Sequence, residues 1–505
     1  MFYERIPSAI LTSRIDASFY DPIYVEIAKI LKRHNTVQLS EVTNFIKKGV
    51  FDMPSNLYSD IGIPFLRISD FDGLTVDIEN AIKIPKWKHE DEYKTKLIGG
   101  DIVISKVGTT GEIAKVPAGY EVNVSQNLIA VSIDHSKIDG DYLLAALKSI
   151  HVNMSLERQV TTIVQGKLTL DIIRELDIPL FTLVTQKYIG NKVRQAEQLR
   201  AWAKSTQTNA NNLIPAYINE IERYQHKSYR TVKINPERLD SLFYHPDYIA
   251  LESIMKSKGC KNLGLIATLI KKAWDKKRAD DFEYFEIGGL DIGTGQVASA
   301  NTETSSAPSR AKTKVQQGDV LVSTVRPNRK NVGFIIKNAN DVEMVATSGF
   351  SVLRFSSLKE AAFYHAWLRT DDATSQLMRW NSGSAYPAID DNVPLNIIVP
   401  EFDKDFIDEW GQKLLDAQFA YVYAKQLTNA AKALVEALIE GQLTEEQLIQ
   451  AQQALEDGDN TLDKAILNKL SSEGYAVEGA APLFSDLDEL YRLLASANAD
   501  DDSED

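Results

Sequence analysis

The chain of 505 residues holds a single cysteine, Cys260. One thiol excludes an internal disulfide framework and any cysteine-rich zinc site, and it fits a reducing compartment. No apolar run approaches the ~20 residues needed to span a bilayer. The opening "MFYERIPSAILTSRID" carries acids and lacks a long apolar core, so it does not read as a signal peptide. A cytoplasmic protein with no membrane association is expected. The seven histidines (His34, His89, His135, His151, His226, His245, His365) show no HxxxH or HxH spacing, so no metal site is expected. Both the GxxxxGK(S/T) phosphate loop and the GxSxG elbow are missing. "HEDE" at 89–92 reads as a polar, solvated loop.

Apolar residues make up 44% and charged residues 25%, as in soluble globular proteins, and the length predicts two to four domains. The net charge of -14 argues against nucleic acid until its distribution is considered. Residues 440–505 hold 17 acids and three bases, a net of -14, which leaves 53 charges of each sign on residues 1–439. The acidity belongs to the C-terminal segment, and the rest can present basic faces to a phosphate backbone.

The chain repeats itself. "RIDASFYDPIY" at 14–24 returns as "RLDSLFYHPDY" at 238–248, with Arg, Asp, Phe, Tyr, Pro and Tyr at the same six places. "IPFLRISDFDG" near 63–73 pairs with "FEYFEIGGLDI" near 282–292, and "GGDIVISKV" at 99–107 with "QGDVLVSTV" at 317–325. "VNVSQNLIAVSI" at 122–133 pairs loosely with "EMVATSGFSVLRF" at 343–355. Each copy predicts a short amphipathic helix, then short strands, then a long helix with a three-four apolar stripe. The polar stretch 205–212 and Pro215 are expected to kink the first long helix. The boundaries expected are 1–182 and 227–403 for the two strand-rich domains, 183–226 and 404–440 for their helices, and 441–505 for an acidic, helical or disordered C-terminal extension.

Two stretches imitate an adenine methyltransferase. Asp21-Pro22-Ile23-Tyr24 lies one residue from a catalytic Asp-Pro-Pro-Tyr, and "GLDIGTG" at 289–295 offers a Gly-rich turn for S-adenosylmethionine. The second copy keeps the frame around the tetrapeptide but reads His245-Pro246-Asp247-Tyr248. "GLDIGTG" aligns with a strand and turn of the first copy, and no helix is predicted after it to receive a cofactor.

Two half-repeats of this kind resemble the specificity subunit of a Type I restriction-modification system. The motifs that carry the resemblance are "GGDIVISKVGTTGEIAKVP" with "VNVSQNLIAVSI", "QGDVLVSTVRPNRKNVGFI", and the strand ends Ile178-Pro179 and Val399-Pro400. It covers roughly residues 10–440. The acidic C-terminal segment departs from the family, and the second copy reads Thr347-Ser348-Gly349 in place of the Ser-Gln-Asn triplet. The resemblance implies an α+β fold: two pseudo-symmetric strand-rich target-recognition domains joined by two long antiparallel helices, plus the helical acidic extension. It implies a non-catalytic subunit, in a bacterium or archaeon, that reads a bipartite double-stranded DNA target. Two DNA adenine methyltransferase subunits would dock on the helices and bring S-adenosylmethionine, and a restriction or translocase subunit would join in some assemblies. The sequence leaves open a fused adenine methyltransferase and a DNA-binding adaptor of another phage-defence complex.

Candidate DNA contacts are basic and amide side chains in loops beside strands, since phosphates attract cations and base edges suit forked donors. In the first copy they are Lys47, Lys48, Arg67, Lys106, Thr109, Thr110, Gln126, Asn127, Gln165 and Lys167. In the second they are Lys271, Lys272, Lys276, Lys277, Arg278, Arg326, Asn328, Arg329, Lys330, Ser384 and Tyr386. "TVRPNRKN" stands out as a basic loop expected to protrude after a strand. The recurring Arg14/Arg238 and Asp16/Asp240 fit a structural ion pair or a methyltransferase-docking role better than base reading.

Overall fold

The structure, a computed structural model, describes residues 17–106, 111–159, 168–218, 238–257, 260–276, 280–337, 342–382 and 386–504. The chain divides into two compact units, Met1–Gln198 with Tyr423–Arg492, and Leu199–Val422 with Leu493–Asp505.

The first copy opens with α1 (Pro22–Leu31). Asp21 caps it by accepting the Ile23 amide at 3.1 Å, with Pro22 at the first helical position. Twelve strands follow: β1 (Thr36–Gln38), β2 (Thr43–Lys48), β3 (Ile63–Leu66), β4 (Phe71–Asp72), β5 (Thr75–Val76), β6 (Lys83–Ile84), β7 (Leu97–Ile98), β8 (Ile102–Ser105), β9 (Ile113–Lys115), β10 (Glu121–Val124), β11 (Leu128–Ile133) and β12 (Asp177–Pro179). Between them lie α2 (Lys86–Asp91), α3 (Gly140–Lys148), α4 (Ile150–Gln159) and α5 (Leu170–Arg174). The long α6 (Leu183–Ile218) comes next and is helical through the polar stretch 205–212.

The second copy contains α7 (Pro246–Ser257), then β13 (Lys261–Asn262), β14 (Thr268–Leu269), β15 (Asp281–Leu290), β16 (Val297–Glu303), β17 (Ala311–Lys314), β18 (Val320–Ser323), β19 (Val332–Phe334), β20 (Glu343–Thr347) and β21 (Phe350–Arg354). After these come α8 (Leu358–Leu368), α9 (Asp371–Arg379), α10 (Val393–Asn396), β22 (Ile398–Val399) and the long α11 (Lys404–Ile439).

The two copies share their strand order. One sheet runs β2-β11-β8-β9 in the first, extended by β5-β4, and β14-β21-β18-β19 in the second. The other runs β6-β3-β10-β7 and β16-β15-β20-β17, with β3–β10 and β15–β20 the parallel pair in each. The small ribbons β1–β12 and β13–β22 also correspond.

Details repeat as well. Gly100 (φ +95°) and Gly318 (φ +86°) hold the left-handed turn that glycine adopts without penalty, and the buried Asp101 and Asp319 follow them. Each carboxylate accepts the amide three residues upstream, Ile98 and Gln316, at 2.9 Å. Arg158 at the end of α4 donates to the Phe19 carbonyl at 2.8 Å, and Arg379 at the end of α9 to the Phe243 carbonyl at 3.0 Å. Each guanidinium also covers that phenylalanine's ring.

The central strands are buried on both faces, which explains their near-continuous apolar sequences. Along β18 the residues alternate between two cores. Val320 and Val322 pack with Phe363, Tyr364 and Trp367 of α8, and Leu321 packs with Phe285, Met344 and Val352. Fully burying such a side chain contributes roughly 1.5–3 kcal/mol.

The C-terminal segment is folded. α12 (Glu445–Glu456) starts at a Thr444 capping box and is followed by α13 (Thr461–Leu467), the hairpin β23 (Leu470–Ser471) and β24 (Gly474–Tyr475), and α14 (Leu487–Glu504). "HEDE" is not a solvated loop. It lies on and just after α2, where His89 is fully buried and hydrogen-bonded to Asn123.

Candidate nucleic-acid interface

In the first copy three loop segments converge on the turn between β10 and β11. The Ser125 amide donates to the Leu66 carbonyl at 2.8 Å, the Lys106 amide to Asn127 at 2.8 Å, the Gly49 amide to Leu128 at 3.0 Å and the Val50 amide to Val124 at 2.8 Å. Lys47, Lys48, Arg67, Lys106, Gln126 and Asn127 are therefore neighbours of one turn, although they come from four places in the sequence. Lys47 and Lys48 are exposed, with their ammonium groups over the rings of Phe45 and Phe51. Arg67 is half-buried, 3.5 Å from Asp70, and its Nε is buried without a hydrogen-bond partner. Thr109, Thr110, Gln165 and Lys167 lie outside the described residues.

The second copy builds the corresponding place differently. The Thr324 amide and hydroxyl both donate to the Gly349 carbonyl, at 2.9 and 3.0 Å, where Lys106 and Asn127 meet in the first copy. The chain then pairs with the segment after α9: Arg326 donates its amide to Pro387 at 2.7 Å, and the Ile389 amide reaches Thr324 at 2.9 Å. "TVRPNRKN" does not form the open loop expected of it. Pro327–Arg329 close into one 3-10 turn, Pro327 is buried, and Arg326 and Lys330 at its ends take left-handed φ of 50° and 55°. The Arg326 guanidinium lies 5.1 Å from the ring centroid of Tyr386, so two separately chosen candidates meet. Lys330 pairs with Asp371 at 2.8 Å, while Asn328 and Arg329 are exposed.

The remaining candidates sit elsewhere. The Lys271 ammonium contacts Asn392 at 3.3 Å, the Lys272 carbonyl accepts the Lys314 amide, and the Lys276 ammonium lies 5.8 Å from the ring centroid of Trp274. Lys277, Arg278 and Ser384 are outside the described residues. Arg310, an exposed arginine that is not among the candidates, accepts the Ser348 amide on its carbonyl at 2.8 Å beside the β20–β21 turn. Its local sequence, "SAPSRAKTK", carries no signal that separates it from any solvated base.

The methyltransferase look-alikes have structural roles. Asp21 caps a helix, and "GLDIGTG" is the β15–β16 hairpin turn, in which Asp291 accepts the Gly293 amide at 2.8 Å and the Thr294 hydroxyl at 2.9 Å. A strand follows that turn, so it offers no helix N-terminus to a cofactor phosphate or carboxylate. Arg238 and Asp240 form an ion pair at 2.8 Å, one of the two roles open to them, and Arg238 also reaches the Trp380 and Asn381 carbonyls. Arg14 and Asp16 lie outside the described residues.

Residues 32–210 match the Type I restriction modification DNA specificity domain. Part of this chain is similar to part of the Type I restriction enzyme EcoBI specificity subunit of Escherichia coli, 26% identical over 169 residues, covering 34% of this chain and 35% of that protein. A MjaX specificity subunit of Methanocaldococcus jannaschii is 27% identical over 180 residues, covering 34% of this chain and 42% of that protein. The matches thus span well under half the length of these relatives. Among solved structures, the chain resembles the Type I restriction-modification system S subunit from M. genitalium, with a TM-score of 0.37 and 14% identity over 83% of this chain and 95% of that one. Among the described residues no helix is long and apolar enough to cross a membrane, and no group of three or more His, Cys, Asp or Glu could hold a metal.

Proposed function

We propose that the chain is the sequence-specific DNA-recognition subunit of a Type I restriction-modification complex and performs no catalysis itself. Each strand-rich copy reads one half of a bipartite double-stranded target. The observation that carries this reading is the duplicated topology, with loop segments gathered at the β10–β11 turn in one copy and at the corresponding β20–β21 turn in the other. A duplicated reader suits a duplex, whose half-sites are themselves related by a dyad.

Cations supply affinity through phosphates, and forked or amide donors supply discrimination at base edges. In the first copy Lys47 and Lys48 serve phosphates while Gln126 and Asn127 face bases. In the second, Arg326, Asn328, Arg329 and Tyr386 form the reading element. The helices α6 and α11, 36 residues each, are about 54 Å long and set the spacing between half-sites. Two adenine methyltransferase subunits dock on them and bring S-adenosylmethionine, with a restriction or translocase subunit joining where one is present.

A nuclease-protection footprint of the assembled complex tests this. Two protected half-sites flanking an unprotected gap, with affinity falling as salt rises, are expected. A single continuous footprint, or none at low salt, would contradict it.

A further inference from the structure

Arg326 is held differently from the buried and half-buried arginines of its unit that have polar partners. Arg354 is bidentate on the buried Asp319 at 2.7 and 2.8 Å, Arg379 pairs with Glu252, Arg238 with Asp240, and Arg369 donates to the Gly293 carbonyl. Arg326 has no carboxylate paired with it among the described residues. Its guanidinium lies over the Tyr386 ring instead, and Tyr386 as a residue is 69% exposed.

The backbone beneath it is fixed. Only four non-glycine residues among those described have a left-handed φ, and two of them, Arg326 and Lys330, bracket this one turn. Such strain persists where surrounding contacts over-determine it, and it concentrates at binding sites. Here the contacts are the Arg326 amide on Pro387 at 2.7 Å, the Arg329 amide on Arg326 at 3.0 Å, the Lys330 amide on Pro327 at 3.0 Å and the Lys330–Asp371 ion pair. Tyr386 is held through its neighbours, because the Ala388 amide donates to Asn381 at 3.0 Å.

A guanidinium against an aromatic face keeps its N–H edge free, and a planar fork matches the O6 and N7 acceptors of guanine in the major groove. A phosphate also accepts the fork, but a backbone phosphate does not call for a strained, anchored turn that fixes where the fork sits. We propose that Arg326, held by Tyr386, is the residue that reads a guanine in the half-site of the second copy. This rests on the DNA-recognition reading above and adds to it the base and the residue. Tyr386 is the positioning residue, because it limits the rotamers that the arginine would otherwise lose on binding.

Methylation-motif sequencing in a host carrying the chain with its partner subunits tests the assignment. The variants are Arg326→Gln, Arg326→Lys, Tyr386→Ala and Tyr386→Phe. Arg326→Gln and Arg326→Lys should make one invariant G·C pair of one half-site degenerate, with discrimination there falling about 10- to 100-fold, in line with a bidentate base contact. Tyr386→Ala should relax the same position less, and Tyr386→Phe should retain it. The other half-site and the spacing should persist in every variant, which also reports that the chain still folds. Uniformly weaker methylation with every base of the motif retained would mark Arg326 as a phosphate contact, and unchanged methylation would mark it as no contact. Either result overturns the assignment while leaving the recognition reading intact. A wild-type chain that directs no two-part motif overturns both.

Discussion

The Lys192 ammonium lies 2.6 Å from the Asp463 carboxylate, and both side chains are closed to solvent. The hydroxyls of Tyr188 and Tyr491 complete the carboxylate's shell. Burial alone would push Asp463 up, but the lysine charge and these donors outweigh it and hold the carboxyl below its usual range. The acidic C-terminal segment is therefore keyed into α6, with Lys187–Glu456 and Asn191–Gln452 as further ties.

Asp463→Ala leaves a buried ammonium without its counter-charge and is expected to cost about 3–5 kcal/mol in denaturant unfolding, whereas a double replacement of Lys192 and Asp463 by apolar residues costs less. Because the folded carboxyl titrates lower than the unfolded one, its contribution is complete above about pH 4 and is lost as pH falls below that. A single variant as stable as wild type would remove this pair as an anchor. Truncation at Gly441 should destabilise at least as strongly as Asp463→Ala.

His365 predicts a pH dependence in the second unit. Burial, with Arg369 beside it, pushes the imidazole down to about 3. The unfolded value is about 6.5, so the unfolded chain takes up the proton first. Stability from the neutral ring is complete above about pH 6.5 and declines below it, by roughly 1.4 kcal/mol per pH unit. His365→Gln keeps a donor for the Val332 carbonyl and should flatten the unfolding profile by one proton between about pH 6 and about pH 4. Identical profiles for variant and wild type would contradict the burial of a neutral ring.

Asp21→Ala tests the role given to the near-catalytic tetrapeptide. Loss of the cap on α1 should cost about 0.5–2 kcal/mol of stability and leave methylation by the assembled complex intact. Abolished methylation at unchanged stability would return Asp21 to the chemistry. Calorimetry of the isolated chain should likewise detect no S-adenosylmethionine binding.

The repeat was legible because local chemistry repeats: Gly100-Asp101 and Gly318-Asp319 announce the same turn, and β-branched runs follow both. The contacts that join distant segments were not. Arg326 and Tyr386 are 60 residues apart in sequence, and each reads alone as a solvated side chain. Arg158 and Arg379 recur in the same frame, yet their match shows only once each is seen on its phenylalanine. Lys192 and Asp463 were hidden for another reason. The segment holding Asp463 has no counterpart in the first copy, so no internal comparison points to it. "HEDE" misled because a polar string on a short helix can still turn one residue, His89, into a core.

The central claim, a non-catalytic reader of a two-part target, is tested most directly by sequencing the host methylome with and without this chain. The account predicts that deletion abolishes one methylated adenine motif composed of two half-sites at fixed spacing, and that re-expression restores it. An unchanged methylome, or the loss of a single undivided motif, would contradict it.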